Sequence, residues 1–323
     1  MKRRIFTLAA LKTSAKAVVG GDLFTRISRA SAELTPSSHG ADGATGVELS
    51  NAGYFPVGNI PGQWRLLHDF SDEFDGASID LAKWKTDVGS WGSWSWDAKN
   101  VSQDGGQLRI RMRYEPHTVR GKNFFYKSGI LRSQKEITYG YFEARIKGCA
   151  LYPGACPAFW LYSVGRRQGD LRYSEIDIVE MLQAHDRTPI PNRIDCNLHC
   201  RVADGKGGET WIRPQQAPDL CRHNWKAPWD PRDDFHVYGC ENRPDAIIWY
   251  VDGQKVASAE NRYWRLPMRV TLSLGLRAPY ERYVKGERSP APEKSSANGF
   301  PTDMLVDYVR VWEGRLDARG TSQ

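Results

Sequence analysis

Residues 247–256 read Ile247-Ile248-Trp249-Tyr250-Val251-Asp252-Gly253-Gln254-Lys255-Val256, and this stretch decides the fold. Two short runs rich in β-formers flank Asp252-Gly253. Asp-Gly between such runs is the preferred two-residue hairpin turn, because both turn positions require positive φ. Working outward, the same period of two recurs. In Leu108-Arg109-Ile110-Arg111-Met112-Arg113 the apolar residues take one face and the arginines the other. Tyr141 to Lys147, Val270 to Arg277 and Met304 to Trp312 alternate in the same way. Long helical periodicity is nearly absent. Many short strands separated by Gly and Pro predict an all-β sandwich of two antiparallel sheets, with one curved polar face.

The chain has 323 residues, 40% of them hydrophobic and 26% charged, which is ordinary globular composition. Its formal charge of +7 lies mostly in residues 1–32, where seven basic side chains face the single acid Asp22. The remainder is close to neutral, which argues against a nucleic-acid partner. Lys2-Arg3-Arg4-Ile5-Phe6, a weakly apolar stretch and Ala30-Ser31-Ala32 mark residues 1–32 as a twin-arginine-like export signal. The expected location is secreted or periplasmic. No run of residues is long and apolar enough to span a membrane. Residues 33–62, rich in Ser, Gly and Ala, read as a linker or loose lead-in, 63–315 as one catalytic domain, and 316–323 as a tail. The six cysteines allow up to three disulfides or buried free thiols; Cys149 and Cys156 could close a short loop, and no C-x-x-C pair supports zinc.

The chemistry concentrates in Ser174-Glu175-Ile176-Asp177-Ile178-Val179-Glu180-Met181. On a strand, Glu175 and Asp177 share a face while Ile176 and Ile178 point inward. Glu180 would fall on the wrong face unless a β-bulge around Ile178-Val179 absorbs one residue. Three acids gathered on one face repel each other, and glycoside cleavage is a reaction that uses them. The bland alternative is a solvated acidic face, or a sugar-binding protein without catalysis. Asp195, Asn197 and His199 share a face of a second strand, and Thr271, Ser273, Gly275 and Arg277 share one of a third. Arg277 can fork onto an anion or make a structural ion pair. Among the 12 tryptophans, Trp91, Trp94, Trp96, Trp160 and Trp211 are candidate sugar platforms.

These segments resemble glycoside hydrolase family 16 across the whole domain: FSDEFDG (70–76), YKSGILRSQKEITYGYFEARIKG (126–148), PAFWLYS (157–163), SEIDIVEM (174–181) and DYVRVWE (307–313). The resemblance implies a β-jelly-roll with an open concave cleft and a retaining mechanism. Glu175 would be the nucleophile, Glu180 the acid/base and Asp177 their intermediary. WGSWSWDAKNV (91–101), APWDPRDDFHVYGCE (227–241) and NRYWRLPMRVTLSLGLR (261–277) are similar to the κ-carrageenase branch. That branch implies a monomer acting on a sulfated red-algal galactan, with Arg277 as a sulfate contact, Trp211 as a stacking platform and His199 in the cleft. Relatives acting on furcellaran, β-carrageenan, porphyran or agarose remain open, because the loops, residues 280–300 among them, follow no pattern of that branch. No cofactor is implied beyond the structural calcium that some family members hold, and no ligands for it stand out here.

Overall fold

The computed structural model describes residues 53–58, 60–183 and 190–314. The expected export signal, most of the lead-in and the tail lie outside them. Two sheets carry the domain. The larger runs, in spatial order, through Gln254–Glu260, Ala246–Val251, His236–Asn242, Gly140–Lys147, Thr302–Gly314, Gln107–Val119, Lys122–Ser128 and Ser95–Trp96. The smaller runs through Glu209–Ile212, Arg193–Ala203, Leu171–Met181, Ala155–Tyr162, Arg269–Leu276, Ile130–Ser133 and Trp84–Lys85, with Arg222–Lys226 also paired to Arg193–Ala203. Pairing is antiparallel except between Ser95–Trp96 and Lys122–Ser128. The longest helix among the described residues is the four-residue Pro218–Cys221. The expected jelly-roll sandwich is therefore the observed fold.

Alternation explains the layers. Leu108, Ile110 and Met112 are fully buried between the sheets, as are Leu272, Leu274, Phe142 and Val306. Each such side chain contributes roughly 1.5–3 kcal/mol on burial. On the opposite face, Asp303 accepts hydrogen bonds from Arg109 (2.8 Å) and Arg111 (2.7 and 2.9 Å). Half-exposed pairs of this kind are worth about 0–1 kcal/mol, so the inner faces hold the sheets together and the arginines keep the outer face wet.

The outer face of the larger sheet is partly covered by the end of the expected lead-in. Ile60, Leu66, Tyr141, Ile248, Tyr250 and Trp312 form a second apolar cluster. The Val57 N–H donates to Glu143 Oε2 (2.9 Å) and the Trp312 indole donates to the Tyr54 carbonyl (3.2 Å). The Tyr308 hydroxyl donates to the other Glu143 oxygen (3.0 Å), and burial pushes the pKa of this carboxyl up. Residues 54–58 and 60 thus pack on that face. They attach through single contacts without a repeat, which is why periodicity missed them.

All six cysteines are buried and unpaired. Five of them lie in the apolar core, and Cys156 lies beside Glu180. The Asp252-Gly253 turn has the expected positive φ at both positions, 48° and 75°. Gly253 also lies against the lead-in, where an added Cβ would come 2.4 Å from the Gly58 Cα. Gly105, at φ 61°, has open space around it. Gly105→Ala should therefore cost only the left-handed backbone penalty, about 1–2 kcal/mol. Gly253→Ala should cost clearly more, as read from urea unfolding midpoints. Equal losses would show that the Gly58 contact contributes nothing.

Candidate active site

The outward face of the smaller sheet carries the chemistry, and the strand Leu171–Met181 runs through its middle. In its pairing with Ala155–Tyr162, Asp177 faces Trp160 while Val179 faces Phe159. Ile178 is the extra residue of a bulge. A bulge frees backbone carbonyls, and buried ones need donors. The buried Trp249 indole donates to the Asp177 carbonyl (3.0 Å), and the Cys196 thiol donates to the Ile178 carbonyl (3.5 Å). Ile176, Ile178 and Val179 are buried beneath. The inserted residue returns Glu180 to the face of Glu175 and Asp177, as the spacing required.

The three acids have different surroundings. Glu175 lies opposite His199 and Tyr162, and the Tyr173 hydroxyl donates to its Oε2. Asp177 is almost wholly buried, with its Oδ2 3.2 Å from His199 Nε2; the same nitrogen lies 3.7 Å from Glu175 Oε1. Burial, with the neighbouring charges of Glu180 and Glu175, pushes the Asp177 pKa up to about 8. Burial alone would lower the His199 pKa, but the charges of Glu175 and Asp177 outweigh it and raise it to about 9. The cluster therefore retains protons that isolated groups would release at neutral pH. Burial likewise disfavours the charged Glu180, but Arg277 outweighs it and the Glu180 pKa is lowered. Arg277 Nη2 donates to Glu180 Oε1 (2.5 Å), and Gln183 donates to Oε2 (2.7 Å).

Glu175, Asp177 and His199 offer donor atoms within 4.8 Å of one another, close enough for a metal ion. The same spacing lets the three groups share a proton. Two hollows of about 370 and 350 Å³ lie elsewhere, beside Arg232 and Asp303 and beside Asp170 and Tyr263. Neither hollow is lined by the three acids.

Aromatic groups flank the acids on both sides. Trp160 is half-buried, stacks on Tyr162 with centroids 4.4 Å apart, and donates to Ser273 Oγ (3.1 Å). Arg132 donates to the Tyr162 hydroxyl (2.7 Å). Across the sheet, Trp211 is 37% exposed, with Arg201 Cζ 5.3 Å and Arg213 Cζ 5.2 Å from its ring. Trp94 is corrected. It is 4% exposed, packed edge-on against Trp96 in the core. Trp91 is the exposed member of that loop and lies 6.3 Å from the Tyr162 ring. A loop has no fixed period, so its sequence could not say which tryptophan emerges. Arg277 is turned onto Glu180 and Gln183, not into open solvent. Tyr162 and Tyr173 escaped the sequence reading, although each lies two residues from a selected site residue and so on the same strand face. Gln183 follows the strand, where no period applies.

Residues 64–314 match the family model described as beta-porphyranase A-D, GH16 domain. The chain belongs to glycoside hydrolase family 16. It is thus a glycoside hydrolase. It is 40% identical over 268 residues to the kappa-carrageenase of Pseudoalteromonas carrageenovora, covering 78% of this chain and 66% of that relative. It is 28% identical to beta-porphyranase B of Zobellia galactanivorans, covering 81% and 90% of the two chains. The solved P. carrageenovora kappa-carrageenase in complex with an oligotetrasaccharide of kappa-carrageenan superposes with a TM-score of 0.73 at 36% identity, over 84% of this chain and all of that one.

This family 16 site should show its shared protons directly. The raised His199 pKa stabilises the folded state below the ordinary value near 6.5, and that stability is lost as pH rises through about 9. Asp177→Asn removes one of the two carboxylates beside the ring. The His199 titration midpoint, followed by NMR of the imidazole, should fall toward 6.5, and the alkaline loss of stability should become shallower. An unmoved midpoint would place the cause elsewhere.

Proposed function

We propose that this enzyme is a secreted, endo-acting, retaining hydrolase of a sulfated red-algal galactan, most specifically of the β-1,4 linkages of κ-carrageenan. The observation that carries the proposal is the placement of binding groups around the paired acids. Trp211, flanked by Arg201 and Arg213, lies on one side, and Trp91, Tyr162 and Trp160 lie on the other. A polymer bound to both flanks must cross the acids in mid-chain, which favours endo action. Indole faces receive the C–H side of a sugar ring, and guanidinium groups pair strongly with sulfate. Similarity to kappa-carrageenase over most of the chain supports the same substrate class. Export by residues 1–32 would bring the enzyme to a polymer too large to enter a cell.

The chemistry follows from the three environments. Glu175, held by Tyr173 and His199, attacks the anomeric carbon while Glu180 donates a proton to the departing oxygen. A covalent glycosyl-enzyme results. Glu180, now a carboxylate, takes a proton from water, and that water releases the sugar with its configuration retained. Asp177 and His199 keep a mobile proton beside Glu175, which limits the repulsion between the acids as charge moves.

Reducing-end assays of the purified protein should show release from κ-carrageenan, with furcellaran, β-carrageenan, porphyran and agarose as comparisons. Glu175→Gln should abolish turnover with the fold intact, and Glu180→Gln should lower it by roughly 10²–10⁴-fold. The first product should appear as the β-anomer by NMR. Release from another galactan only would keep the acids in their roles and reassign the substrate; near-wild-type turnover by Glu175→Gln would overturn the mechanism. Trp211→Ala should raise KM more than it lowers kcat.

A further inference from the structure

Three hydrogen bonds close a ring around the acid/base. Arg277 Nη2 reaches Glu180 Oε1 (2.5 Å), Gln183 Nε2 reaches Glu180 Oε2 (2.7 Å), and Arg277 Nε reaches Gln183 Oε1 (3.0 Å). All three side chains are largely shielded: Arg277 and Glu180 are 13% and 15% exposed, and Gln183 is buried. The ring has a backbone signature. Leu182, fully buried, has φ 62°, in the left-handed region that a leucine rarely enters. Such strain persists only where the surroundings enforce it. Here it turns the chain out of the catalytic strand and brings Gln183 back beneath Glu180.

This ring opposes the reaction. A general acid must carry a proton, yet both Glu180 oxygens accept hydrogen bonds, one of them from a permanent cation. The groups around Glu180 do not remove the conflict. Asp177 lies on its own strand, Asp195, Arg193 and His199 on the neighbour to one side, and Cys156 on the neighbour to the other; the Glu281–Val284 and Glu287–Pro290 hairpin brings Arg288, itself paired with Glu281 at 3.0 Å.

We propose that Arg277 and Gln183 form a latch on Glu180, which an anionic substituent of the bound sugar opens by drawing the Arg277 guanidinium to itself. This rests on the galactan-hydrolase reading and adds a specificity device to it. With Arg277 transferred to the anion, Glu180 takes up a proton from solvent and becomes the competent acid. Sulfate recognition then acts on kcat and not on binding alone, so a neutral galactan binds to an enzyme whose acid remains latched. Gln183 is a positioning residue, setting how firmly the carboxylate is held.

The test uses the full-length protein labelled with ¹³C at glutamate side chains, the Glu180 signal being assigned by its loss in Glu180→Gln. Its titration midpoint is followed alone, with galactose 4-sulfate, and with galactose. The sulfated sugar should raise the midpoint by about one pH unit or more, a tenfold change in proton affinity, and galactose should leave it in place. Saturable binding of the sulfated sugar with no movement would overturn the latch, as would its failure to bind at all. Gln183→Met should raise the midpoint in the free protein and shrink the kcat advantage of sulfated over neutral galactan; a merely structural role would lower both rates together without moving the midpoint. Lack of hydrolysis of any galactan would sink the functional reading, while the titration would still decide the latch.

Discussion

The site depends on one inserted residue. Without the bulge at Ile178, Glu180 would project into the sandwich, where an unpaired carboxylate is untenable. With it, the strand bends and two backbone carbonyls lose their regular partners. Trp249 reaches one from the opposite sheet, and Cys196 reaches the other from the neighbouring strand. The catalytic geometry is therefore tied to the core, because the indole that completes the bulge is itself fully buried among core side chains.

Crowding three carboxyl groups on one face is the second constraint, and it is met differently at each. Glu175 has a tyrosine hydroxyl and a share of His199. Asp177 has the other share of His199, and burial raises its pKa. Glu180 has a guanidinium. These solutions push the pKa values of Asp177 and Glu180 in opposite directions. The lowered value falls on Glu180, the group proposed as the acid, so the free site is not set for proton donation.

Much of this was legible in the sequence, for identifiable reasons. Strands with a strict period of two disclosed which residues face inward, so the sandwich, the shared face of Glu175 and Asp177, and the need for a bulge could all be read. The family resemblance supplied the roles that spacing left open. Elsewhere the period gave out. Trp94 lies in a loop, where one of several tryptophans emerges and sequence does not say which. Tyr54, Val57 and Ile60 hold to the larger sheet by isolated contacts with no repeat. The direction of Arg277 was undecidable because an arginine at a strand end reaches a carboxylate or a ligand with equal ease. Gln183 was invisible because its place depends on a left-handed residue at Leu182, which side-chain chemistry does not announce.

The dual position of Arg277 has a consequence for how specificity can be distributed in such a cleft. A charge that only bound substrate would strengthen the ground state and the transition state alike, lowering KM without accelerating the chemical step. A charge held by the acid/base in the free enzyme and by the substrate in the complex behaves otherwise, since its transfer alters the proton affinity of the group that performs the reaction. Trp211, with Arg201 and Arg213 beside it, makes no contact with Glu180 or Gln183, so on the proposed reading it would act on binding alone. On the proposed reading, discrimination between sulfated and neutral galactans would divide between two places on the same face, the flank setting how tightly the chain is held and Arg277 setting whether the held chain is cut.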